Sequence, residues 1–249
     1  MNNVYLYEGG FFSFLSLLCE LIKTKKNPDD IKEINCYQKR LFDQEIYLLI
    51  KNERENIEQI CKRLDRVSTY MIDNVFLSNH EEKEMIIYRF FLSYLKYGNK
   101  VFCMRRIDDV NNLIILSKRV RREAHKLKGF LRFQKMKNDF YYGEISPDNN
   151  VIGILADHFK KRLAEDNWII KDTVREIYAI YDKKEVLYLT KEEVISLNIE
   201  KTEEEKEIED LWKSFHKTIA ISSRENRRCQ QNFMPKKYWK NMLEMENEK

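Results

Sequence analysis

From Glu53 to Leu127 apolar residues recur at helical spacing, with Gly98 the only glycine and no proline in the stretch, and this pattern restricts the fold more than any other feature. Ile57, Ile60, Leu64 and Val67 make one stripe, and Met71, Val75 and Phe76 a second. After the polar break Ser78-Asn79-His80, Met85, Ile86, Phe90, Leu92 and Leu95 make a third, closed by Gly98-Asn99. A long helix then runs from about Ile107 to Leu127, with Val110, Leu113, Ile114, Val120, Ala124 and Leu127 on one face. The whole chain of 249 residues holds only 6 Gly and 3 Pro, so long helices and short loops are expected throughout. A hydrophobic content of 43% supplies a core and argues against disorder.

The segments on either side read differently. Val4 to Tyr7 is a strand candidate, Glu8-Gly9-Gly10 a turn, and Phe11 to Lys23 a buried amphipathic helix. Its apolar run, Phe11 to Ile22, is too short to span a bilayer and has no basic leader, so neither a membrane nor a secretory signal is expected. Glu33 to Tyr37 and Glu45 to Ile50 read equally well as strands or short helices. Beyond the long helix, Gly129 opens a strand over Phe130 to Gln134, Asn138-Asp139 turns, and Phe140 to Ile145 returns antiparallel. Asn149 or Asn150 caps a helix over Val151 to Leu163. Trp168 to Lys171, Glu176 to Tyr181 and Val186 to Leu189 follow as strands, the last two joined by Asp182-Lys183-Lys184. The sum is an α+β protein: an antiparallel sheet of ββαβββ order, a mostly helical part over residues 1–100, and a basic α+β part over 101–249 ending in a helical clasp. The two parts also read as one continuous domain.

Charge is segregated although the net charge is only +4. Lys118 to Lys137 carries nine Lys and Arg against a single acid, Glu123. Arg121, Arg122 and Arg132 belong to this block, and one helix face with one strand edge could present it together. A second block, Ser223 to Lys240, sets Arg224, Arg227, Arg228, Lys236 and Lys237 among amides and the aromatics Phe233, Tyr238 and Trp239. Guanidinium and ammonium groups hold phosphates, and flat rings stack on bases. An ordinary solvated face, or a clasp whose rings pack on the domain, would use the same residues. Glu192 to Asp210 is acidic, and its core, Glu203 to Glu209, reads as peripheral.

Several chemistries find no support. His80, His125, His158 and His216 form no metal-ligand spacing, and no metal is expected. No phosphate loop, dinucleotide fingerprint or nucleophile elbow is present, and no cofactor is expected. The five cysteines are scattered and odd in number, which suits a reducing cytoplasm better than a disulfide framework. His158, on the apolar side of its helix, is the one candidate for a general acid or base, and a hydrogen-bonded rim histidine is the plainer reading. Arg175 and Asp172 bracket a turn, where Arg175 either fixes the hairpin or meets a phosphate. Arg162 poses the same choice.

Three stretches resemble a bacterial family of DNA metabolism proteins built around a domain of unknown function. They are Glu123 to Phe133; Tyr141-Tyr142 with Pro147, Asn150, His158-Phe159, Arg162, Trp168, Ile170, Asp172 and Arg175; and Leu211-Trp212 through Arg224 and Asn226 to the ending Met234-Pro235-Lys236-Lys237-Tyr238-Trp239. Tyr5 to Phe14 resembles the family's opening strand, turn and helix. The resemblance implies pairing with a radical-SAM protein of DNA modification or repair, and a similar domain is fused to a uracil-DNA-glycosylase-like enzyme. The expectation is therefore a DNA-binding accessory protein, on duplex or single strands. Arg121, Arg122, Arg132, Arg224, Arg227, Arg228, Lys236 and Lys237 would hold the backbone, with His158, Arg162, Trp168 and Arg175 near a cleft beside the sheet. A metal-independent DNA-processing enzyme using His158, and a protein-interaction scaffold, are the alternatives.

Overall fold

Strand-forming residues at the N-terminus lead straight into an apolar helix, and this sets the first layer. The computed structural model describes residues 2–48, 53–104, 106–194 and 200–248. The chain divides into two compact units, Met1–Arg121 and Arg122–Lys249. In the first, β1 (Asn2–Tyr7), α1 (Gly10–Lys23), β2 (Asp30–Glu33) and β3 (Asp43–Tyr47) precede the helices α2 (Glu53–Arg63), α3 (Arg66–Phe76) and α4 (Lys83–Tyr97). The three strands lie in the order β2-β1-β3, with both pairings parallel. Parallel neighbours need a crossover, and α1 supplies one between β1 and β2. The sharp entry into α1 depends on Gly9 at φ 112. A Cβ there would sit 2.8 Å from the Glu33 carboxylate, so backbone and space both demand glycine.

The helical reading of the N-terminal part holds, with the parallel sheet added to it. Of the two ambiguous segments, Glu33 ends β2 and a 3-10 turn covers Ile34–Cys36, while the second falls partly on β3 and partly outside the described residues. Phe14, Leu17, Leu18 and Leu21 of α1 pack with Ile72, Ile87, Phe90 and Phe91 in the core. Asp65 caps α3 by accepting from the Ser68 N–H at 2.8 Å. Under β1, the Tyr7 hydroxyl donates to the buried Glu84 carboxylate at 3.0 Å.

A long helix, α5 (Asp108–Phe130), carries the chain from one unit into the other. Next come β4 (Gln134–Lys135), β5 (Tyr141–Ile145), α6 (Ile152–Arg162), β6 (Trp168–Asp172), β7 (Ile177–Tyr181) and β8 (Val186–Thr190). The order of elements is the anticipated ββαβββ, and the sheet runs β4-β5-β6-β7-β8. One orientation differs: β5 and β6 are parallel, with Gly143 opposite Ile170. The cause is α6, a crossover that returns the chain to the end it left, whereas hairpins keep the other pairs antiparallel. In the β7–β8 hairpin Lys183 takes φ 72, and the Asp182 carboxylate accepts from the N–H groups of Lys184 at 3.0 Å and Glu185 at 2.9 Å.

Three local expectations are corrected. Gly129 does not start a strand: α5 continues through it, the Leu131 N–H bonds the Leu127 carbonyl at 2.9 Å, and β4 keeps only two residues. Neither Asn149 nor Asn150 caps α6. Val151 stands at the cap without a side-chain bond, because the Asn149 amide is drawn to Glu123. The final helix after Pro235 is a 3-10 segment, Lys236–Asn241. The acidic stretch leads into α7 (Glu203–Ile219), capped by Thr202, and then into the short α8 (Arg227–Phe233). No helix among the described residues is long and apolar enough to cross a membrane.

Candidate nucleic-acid interface

One buried carboxylate organises the second unit. Glu123 occupies a position on the stripe of α5 that packs inward, and it is 5% exposed. It accepts from the N–H groups of Asp148 at 3.0 Å and Asn149 at 2.9 Å, and from the Asn149 side-chain amide at 2.6 Å. The Tyr238 hydroxyl donates to it at 2.8 Å and the Lys237 ammonium at 3.0 Å. Burial by itself would raise the Glu123 carboxyl; the donors outweigh it and hold the group down at about 2. Burial pushes the Tyr238 hydroxyl up to about 12, and the hydrogen bond and charge of Glu123 add to that. Lys237 also binds the Asp148 carboxylate and lies 4.6 Å from the Tyr238 ring centroid. The second basic block is thereby fastened to the helix that carries the first.

The same loop is gripped from its other side. Asp172, fully buried, accepts from the N–H of Val174 at 2.9 Å and pairs with Arg175 at 3.1 Å. Arg175 also donates to the carbonyls of Pro147 and Asp148. Thr173 and Ser146 hydroxyls meet at 2.6 Å, and Asn241 donates to the Glu144 carbonyl at 2.9 Å. Arg175 thus acts on the protein itself, in the hairpin-fixing sense.

The cations of the first block divide. Arg122 is exposed on α5 and pairs with no carboxylate among the described residues; Arg121, in the first unit, stacks on Tyr70 at 5.4 Å. On the strand side the acidic stretch closes in. Arg132 lies 3.7 Å from Glu205, Lys137 2.8 Å from Glu200 and Lys201 2.6 Å from Glu209. The backbone N–H of Lys135 donates to Glu205 at 3.1 Å, and Gln134 donates to Glu209. Glu205 and Glu209 are buried, so the acidic segment is not peripheral. It neutralises the strand half of the block, and helix face and strand edge do not present one cationic surface. Beside it a cavity of about 280 Å³ is lined by Arg132, Gln134, Tyr142, Glu144, Lys240 and Asn241 among others.

In the C-terminal block Arg224, Arg228, Lys236 and Lys240 are exposed and pair with no carboxylate among the described residues, while Arg227 pairs with Glu225 at 2.8 Å. Trp239 and Tyr238 are buried anchors; Trp239 donates to the Met234 carbonyl at 2.8 Å, and Lys236 lies over its ring at 5.7 Å. Phe233 is 75% exposed. Arg162 is exposed at the end of α6. His158 sits half-buried against Phe159, and burial, then the charges of Lys128 and Arg162, push its pKa down. It has no carboxylate to orient it among the described residues. Trp168 lies in no cleft: it is a fully buried core residue between Phe133 at 6.2 Å and Tyr181 at 5.1 Å. No group of three or more His, Cys, Asp or Glu among the described residues could hold a metal ion.

The pivotal role of Glu123 is not read from its residue type, but a signal exists. A lone acid on the inward stripe of a basic helix is either a fault in the pattern or a buried anchor.

Fold and site together define a mixed α/β protein whose basic C-terminal segment is clasped to a basic helix through one buried glutamate. The DUF4130 family, a domain of unknown function, matches residues 81–244, and the chain belongs to that family. No curated protein and no solved structure matches it.

Proposed function

We propose that this chain is a DNA-binding accessory protein of a DNA repair or modification system, working in the cytoplasm with a radical-SAM partner. The observation that carries the reading is the C-terminal segment. Arg224, Arg228, Lys236 and Lys240 are exposed without carboxylate partners among the described residues, Phe233 is largely exposed, and Tyr238 and Trp239 pin the segment in place. A fixed cationic strip binds a sugar–phosphate strand with less ordering cost than a free tail. Arg122, exposed on the clasped helix, adds a further cation. The partner and the pathway rest on the resemblance of the three stretches described above. Lys237, held by two carboxylates, positions the strip and contributes little charge to it.

Binding to a fluorescent oligonucleotide at low salt tests the reading. Reversing Arg224 and Arg228 to Glu should weaken binding more than tenfold on any sequence, whereas reversing Lys135 and Lys137, which pair with Asp139 and Glu200, should change it less than threefold. Equal effects from the two pairs would contradict the assignment of the strip.

A further inference from the structure

α7 turns its faces the unusual way round. Its carboxylates Glu205 and Glu209 pack on the protein and are 7% and 8% exposed. Its apolar residues face out: Ile208, Leu211, Phe215 and Ile219 are 51%, 70%, 51% and 55% exposed, and Ile221 just beyond is 54% exposed; Trp212, 38% exposed, edges the face with Arg132 over its ring and its indole N–H on Glu244. Positions 208, 211, 212, 215 and 219 follow the spacing of one helical stripe, so this is a continuous face and not scattered exposure. Side chains of this size offer roughly 200 Å² each when fully bare, so six of them half-exposed leave on the order of 600 Å². That is the upper end of what a soluble surface leaves open in one patch, where such patches are often functional, and it approaches the roughly 800 Å² each partner gives to a standard interface.

The charges along the helix point to the occupant. Glu203, Glu204, Glu207 and Asp210 fill the N-terminal half; Lys213, His216 and Lys217 fill the other. This gradient suits the helix's own dipole, but the dipole does not account for a bare apolar stripe. Laid antiparallel about a two-fold axis between Leu211 and Phe215, two such helices bury both stripes. Leu211 of each copy then meets Phe215 of the other. The acidic half of each helix then lies along the basic half of the other, twice by symmetry. A surface complementary to itself in shape and in charge order is what an isologous dimer requires.

We propose that the protein forms a two-fold dimer through the outward face of α7, with a second copy of this chain as the partner.

Sedimentation of the full-length protein across a wide concentration range tests it. The expected result is a monomer–dimer equilibrium whose dissociation constant rises at least about 30-fold in Leu211→Glu, the size of a hot-spot loss. Because Leu211 is exposed, the same variant should keep its thermal midpoint at dilutions where both proteins are monomeric. A charge exchange guards against a misfolded variant. Glu204→Lys with Glu207→Lys should weaken self-association, Lys217→Glu alone should weaken it also, and an equimolar mixture of the two proteins should restore a dimer. A wild-type protein that stays monomeric would overturn the proposal and leave the stripe to a different macromolecule. A dimer indifferent to Leu211→Glu, or a charge-exchanged mixture that fails to associate, would overturn it too.

Discussion

At the scale of single residues, Glu123 carries the largest stake. Its carboxyl is held at about 2 in the folded protein against an ordinary 4.5. A depressed acid contributes stability above its unfolded value, and that contribution is lost as pH falls through the folded one. A shift of that size corresponds to about 3 kcal/mol at neutral pH, in the order-of-magnitude sense. Thermal midpoints measured between neutrality and pH 2 should therefore drop steeply below about pH 4.5. In Glu123→Gln the midpoint should start lower and the acid-dependent drop should shrink. Glycines give a second residue-scale contrast. Gly9→Ala meets both a positive φ and the Glu33 carboxylate, and Gly143→Ala meets Leu131 at 2.7 Å. Gly129 lies exposed inside α5 with nothing near its missing Cβ. Gly129→Ala should raise stability by about 0.5–1 kcal/mol, and the other two should lower it, as read from denaturant midpoints.

At the scale of elements, sheet and clasp should differ in local stability. β5, β6 and β7 are paired on both sides, whereas β4 is two residues long and α8 is a short exposed helix. Amide exchange should be slowest in the three central strands and fast in α8. The helices were legible because Leu113, Val120 and Leu127 mark their period whatever the tertiary context. The parallel β5–β6 pair was not, since Gly143 and Ile170 carry no sign of their pairing direction, which α6 decides. α5 overran its expected end because a glycine inside a helix costs only about 1 kcal/mol and need not stop it.

At the scale of the whole molecule, the basic blocks stood out in the sequence but their counterions did not. Arg132 and Lys137 look as free on paper as Arg224 and Arg228; only the fold brings Glu205 and Glu200 to the first pair. Trp168 is placed with the site by the resemblance of its stretch, yet its neighbours are Phe133 and Tyr181 in the core. The Lys237–Glu123 tie was beyond reach because it joins residues 114 apart in the chain. Among the described residues the strand half of the first block is paired, while Arg224, Arg228, Lys236 and Lys240 of the second stay exposed without a carboxylate partner.

Salt titration of DNA binding tests that account most directly. If the strip meets the backbone through Arg224, Arg228, Lys236 and Lys240, log affinity for duplex DNA should fall linearly with log salt, with a slope near −3 to −4. Arg224→Glu with Arg228→Glu should flatten that slope by about two. Affinity at background level in low salt, or a slope that the double variant leaves unchanged, would contradict the central claim.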